Sequence, residues 1–107
     1  MTNELTPHIE YHPNGNVSIK GQKNSSGQRE GIWEWFYENG NIVQRIPYKE
    51  GKKDGIEEGF YPNGNILWRT PYKEGEIDGI ETFYDEQGNI IKTRHWKDGE
   101  IIEETEH

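Results

Sequence analysis

Four histidines, no cysteine and twenty carboxylates are what this 107-residue chain offers for metal or acid–base chemistry. His8 and His12 flank Ile9-Glu10-Tyr11, a stretch that reads as a strand. Period 2 puts both on one face but about 13 Å apart by strand rise, too far to share an ion. His95 and His107 lie far along the chain. These are read as exposed strand histidines, and no metal site is expected. The carboxylates cluster at Glu57-Glu58, Glu74, Glu76, Asp78, Glu81, Asp85-Glu86 and Glu103-Glu104. A general acid needs a raised pKa and therefore partial burial. These residues fall at turns and on a variable strand face, where they are expected to stay solvated as a polar surface or a docking patch. No Ser/His/Asp set and no phosphate-binding glycine loop is present. No catalytic residue and no cofactor is assigned, and an enzyme is not expected.

The aromatics are a different matter. Trp33, Trp35 and Tyr37 alternate along one strand, and Tyr61 and Trp68 follow in the next unit. Trp and Tyr are enriched at binding hot spots, so the cluster is either core or an anchor for a partner. Trp33, Trp35, Tyr37, Glu57, Glu58, Tyr61 and Glu81 form the expected contact set.

What positions these residues is a tandem repeat, the feature to seek first. Gly27, Gly51, Gly75 and Gly99 are spaced by 24, as are Gly31, Gly55 and Gly79, each of the last three followed by Ile. Gly40, Gly64 and Gly88 keep that interval, each followed by Asn and Ile. Phe36, Phe60 and Tyr84 make another column, and Tyr48, Tyr72 and Trp96 one more. A looser copy lies upstream, with Asn14-Gly15-Asn16-Val17 matching Asn39-Gly40-Asn41-Ile42. Within a unit, Ile32–Tyr37 and Ile42–Ile46 are rich in β-formers. The Asn-Gly between them predicts a type I′ hairpin turn, and Glu50–Gly55 marks a looser one. Nothing has helical periodicity. Period 2 puts Ile32 with Phe36, Ile56 with Phe60 and Ile80 with Tyr84 on one uniform face, continued on the return strand by Ile42, Ile46 and Tyr48 and expected to be the stacking core. The opposite face varies: Trp33 and Trp35, then Glu57 and Gly59, then Glu81 and Phe83. The expected fold is all-β, an elongated antiparallel meander of about four hairpins in a curved single-layer sheet. It is one domain, 1–107, with repeats at 9–31, 32–55, 56–79 and 80–102, and an acidic tail at 103–107.

Composition fits a thin structure. Only 29% of residues are hydrophobic and mean hydropathy is -1.16. Thirteen aromatics nevertheless argue against disorder. The net charge of -8 is uneven. Residues 1–56 carry seven acidic and seven basic groups, whereas residues 57–107 carry thirteen and five, 5 − 13 = −8. Such a balance disfavours nucleic acid and anionic membranes as partners and favours a basic protein. The N-terminus shows no signal-peptide pattern and no segment approaches a membrane span. A cytoplasmic protein, monomeric on its own, is expected.

The run Phe60-Tyr61-Pro62-Asn63-Gly64-Asn65-Ile66, then Tyr72-Lys73-Glu74-Gly75 and Asp78-Gly79, resembles the variant MORN repeat (membrane occupation and recognition nexus) of bacterial proteins. The resemblance covers about residues 9 to 102. It implies a curved sheet of hairpins and, since members of this branch are commonly classed as antitoxins or immunity proteins, neutralisation of a cognate toxin by binding. The family brings no catalytic residue. A basic, nuclease-like toxin would suit the acidic second half. The alternatives are an aromatic module for a small ligand or glycan, and a structural scaffold.

Overall fold

The computed structural model describes residues 4–107. They form one open, curved antiparallel sheet, a hairpin meander measuring 44 × 36 × 15 Å. The strands are β1 (Thr6–Tyr11), β2 (Val17–Lys23), β3 (Arg29–Phe36), β4 (Ile42–Lys49), β5 (Lys52–Lys53), β6 (Gly55–Phe60), β7 (Ile66–Lys73), β8 (Glu76–Ile77), β9 (Gly79–Tyr84), β10 (Ile90–Lys97) and β11 (Glu100–Glu106). Spatial order follows chain order, with the short β5 and β8 pairing at the ends of β4 and β7. The expected acidic tail is in fact strand: Glu103 and Glu104 pair with His95 and Arg94 of β10. Among the described residues no helix is long and apolar enough to cross a membrane.

The two kinds of turn exchange the roles expected of them. At the Asn-Gly turns only the glycine has positive φ, +93° at Gly40, which excludes type I′ there. Gly40 N–H donates to Tyr37 C=O and Tyr37 N–H to Asn41 C=O, closing a three-residue loop with a left-handed glycine. The type I′ signature lies instead at Glu50-Gly51, with φ of 49° and 84°, and recurs at Glu74-Gly75 and Asp98-Gly99. The Asn columns have another duty. Asn16 Nδ2 donates to Glu38 C=O, Asn41 Nδ2 to Pro62 C=O and Asn65 Nδ2 to Glu86 C=O, so each turn is bonded to the next repeat's turn. His12 and Tyr61 do likewise, with His12 Nε2 donating to Phe36 C=O and Tyr61 Oη to Tyr84 C=O.

The better-covered face is the variable one, a reversal of the sequence expectation. On the uniform face Ile32, Ile56 and Ile80 are 58%, 43% and 52% exposed. Beside them runs an ion-pair ladder of Glu34, Arg45, Glu58 and Arg69, each link 3.3–3.4 Å. On the variable face Trp33 is 1% exposed and Ile46, its cross-strand neighbour, is also buried. The reason is lateral. With no second layer, coverage comes from large rings lying over small residues of the adjacent strand. Trp33 lies over Gly21 and Trp68 over Gly59, so closely that a Cβ on either glycine would overlap the indole.

Candidate functional site

The variable face, the inner one in the sense of being the better covered, is a patch of rings with charged groups set between them. A row of residues from neighbouring strands crosses the sheet: Trp33, Ile46, Glu57, Thr70, Glu81, Arg94. Half-buried Trp35, Trp68 and Phe83 lie on one side of it, and Tyr48, Tyr72 and Trp96 on the other. Gly59 breaks the Trp35–Gly59–Phe83 column in sequence, but the Trp68 indole fills the gap from β7.

Glu57 and Glu81, expected to be solvated, are each only 8% exposed. Glu57 accepts from Lys53 Nζ at 2.7 Å and from Trp68 Nε1 at 3.0 Å. Glu81 accepts from Thr70 Oγ1 at 2.8 Å and Trp96 Nε1 at 2.9 Å, with Arg94 Nη1 3.8 Å away. Each buried carboxylate is thus matched by a cation and an indole N–H, which offsets the cost of its burial. Burial alone would lower the Lys53 pKa, but the hydrogen bond and charge of Glu57, aided by Tyr72 and Tyr48, raise it above its ordinary 10.5. Burial, then the Glu57 charge, raises the Tyr72 phenol as well.

Around Trp33 the arrangement differs. The Arg29 guanidinium stacks on three rings, 4.6 Å from Trp33, 5.2 Å from Tyr48 and 5.5 Å from Trp35, at cation–π range. Its Nη1 donates to Tyr48 Oη at 3.0 Å. Trp33 Nε1 donates to Gln22 C=O, and His8 packs on the Trp33 ring at 5.2 Å.

The expected contact set is therefore not one patch. Trp33, Trp35, Glu57 and Glu81 share the inner face, where Trp33 and both carboxylates are buried framework. Glu58 lies on the opposite face, held between Arg45 and Arg69. Tyr37 and Tyr61 stand at the turn edge. Composition and spacing did not single out Arg29, Phe83 was placed on the variable face but not in the contact set, and Trp96 stood out only as a repeat column; the column shared by Arg29 and Lys53 was the signal for the first. His8 Nε2 lies 2.8 Å from Glu10 Oε2 while His12 serves a turn, so each has a local partner.

The MORN repeat variant model matches three times, over residues 29–50, 53–74 and 77–98, well over half of the chain. The first hairpin, whose Gly15 turn has the same hydrogen bonds, lies outside the matches. No curated protein and no solved structure matches the chain. With the repeat's residues, register and turn-to-turn bonds in view, the chain belongs to the MORN repeat variant family, a class of repeat module for protein or membrane interaction.

Proposed function

We propose that this protein is an antitoxin or immunity protein that neutralises a protein toxin by covering it with the inner face. The observation that carries the reading is the state of that face. Its buried polar side-chain atoms all have partners among the described residues, while Trp35, Trp68, Tyr72, Phe83 and Trp96 remain only half-covered. Rigid rings that need no rearrangement are what a tight interface uses as anchors. The charge surplus of residues 57–107 favours a cationic partner such as a nuclease, steered in at long range, its phosphate-binding groups met by carboxylates. That surplus also speaks against the membrane branch of the family's interactions. No chemical step is assigned to the chain.

The test is neutralisation itself. A tagged chain retrieves its partner from the native cell, and the partner is then expressed alone and together with this protein. Growth arrest by the partner alone, relieved by co-expression, is the expected result. A partner that is harmless alone, or still toxic while bound, contradicts the proposal.

One observation favours a second reading. Trp68 over Gly59 restores a ring line, Trp35–Trp68–Phe83, of the kind on which sugar rings stack. A glycan array with saturable binding, lost in Trp68→Ala, would favour that reading.

A further inference from the structure

Residues 29 and 53 occupy the same place in successive repeats, and so do 33 and 57. In the later repeat the pair is Lys53 and Glu57, a cation salt-bridged to a buried carboxylate that also takes the Trp68 indole N–H. The pattern returns at Glu81, which faces Arg94 and takes the Trp96 N–H. In the earlier repeat the carboxylate position is Trp33. The cation remains and the acid is missing; the place of Trp68 is taken by Gln44, and an indole with a free N–H comes instead from Trp35 on the same strand. Arg29 is the one arginine among the described residues without a carboxylate within ion-pairing distance, whereas Arg45, Arg69 and Arg94 each have one or more. The Trp35 indole N–H, alone of the four, makes no hydrogen bond among the described residues, and its ring lies 5.5 Å from the Arg29 guanidinium. Arg29, which has a hydrogen bond to Tyr48 Oη but no acid, and the free Trp35 N–H are thus neighbours on the inner face.

From this juxtaposition we infer that Arg29 and Trp35 form a carboxylate-recognition site, filled by an Asp or Glu side chain of the protein partner. The partner's acid takes the role that Glu57 and Glu81 play inside the sheet. A guanidinium already held by three rings loses little freedom on pairing and presents its remaining donors as a fork suited to a carboxylate. The commitment to an acid rests on charge complementarity and on the two internal copies of the triad. This rests on the inner face being the docking surface, and it adds polarity. The acidic second half draws the partner's basic surface, while the single acid fixes its register at the other end.

The experiment needs no identified partner. The probe is N-acetyl-glutamate amide, titrated into the full chain, with N-acetyl-glutamine amide and matched sodium chloride as controls. The readout is the set of indole N–H resonances, assigned with Trp35→Phe. The expected result is a saturable shift of the Trp35 resonance with the glutamate probe alone, the other three indoles being unmoved. Arg29→Gln is expected to weaken that response about tenfold or more, and Arg29→Lys by less. Circular dichroism melts establish that each variant is folded. If Arg29→Gln does not fold, the wild-type titration and Arg29→Lys still decide. No shift, an equal shift with the glutamine probe, or a response unchanged in folded Arg29→Gln or as strong in Arg29→Lys overturns the assignment. Because the titration contains no toxin, its failure leaves the growth-rescue result to stand or fall separately.

Discussion

Gly59 and Trp68 are one structural choice made in two places, and each explains the other. A ring laid flat on a neighbouring strand needs a residue beneath it without a Cβ. Gly59→Ala is therefore expected to overpack the site and destabilise the sheet by about 1–3 kcal/mol, read by denaturant unfolding. Trp68→Phe keeps the stacking but removes a donor from Glu57, at a cost of about 1–3 kcal/mol. The Lys53–Glu57 pair gives a pH signature. The Lys53 and Tyr72 pKa values are both raised, so the folded chain holds these protons more tightly than the unfolded chain does. By linkage that stability is complete below the ordinary values of 10.0 and 10.5 and is lost as pH rises beyond them. Melts from pH 9 to about 12 are expected to fall more steeply for wild type than for Glu57→Gln. Parallel curves would mean that Glu57 does not set those protonations. Little of this was legible in the sequence, because Glu57 and Glu81 read as charges on a variable face. Their burial depends on Trp68, Thr70 and Trp96, which come from adjacent strands.

At the scale of the hairpin, sequence and structure agree on where chain reversals occur and differ on how. Asn-Gly is the local signature of a type I′ turn, yet here the asparagines are committed elsewhere. Asn39 Oδ1 accepts from Asn41 N–H while Asn41 Nδ2 reaches the next turn. A bond between repeats leaves no local trace except the recurrence itself. Asn65→Ala is expected to cost about 0.5–1.5 kcal/mol, although the side chain sits on an exposed turn. The true type I′ turns carry Glu or Asp at positive φ, a conformation that asparagine adopts more readily. Glu74→Asn should therefore stabilise by about 0.5 kcal/mol, measured as a raised unfolding midpoint at unchanged m-value. A loss of stability would mean that the Glu74 side chain makes a contribution that outweighs its backbone strain.

Over the whole molecule, the 24-residue period was enough to read the meander, its order and its repeat family. Period 2 separated Ile32, Ile56 and Ile80 from Trp33, Glu57 and Glu81, but it failed on the return strand, where the register shift beside Phe36 turns Ile46 and Tyr48 to the Trp33 face. It did not say which face is covered, because in a single-layer sheet no second layer decides the matter. Uniform isoleucines at 32, 56 and 80 suggested a stacking core, yet they are exposed, and the rings at 33, 35 and 68 cover their own face laterally. The consequence is a molecule with a sealed inner framework, half-open rings above it and one arginine without its acid. The most direct test is the affinity of the captured partner for two variants, one on each face. Trp35→Ala is expected to weaken binding about thirtyfold or more, the loss typical of an anchor residue, while Ile56→Ser on the opposite face leaves it unchanged. The reverse pattern, with Ile56 critical and Trp35 dispensable, would contradict the assignment of the inner face.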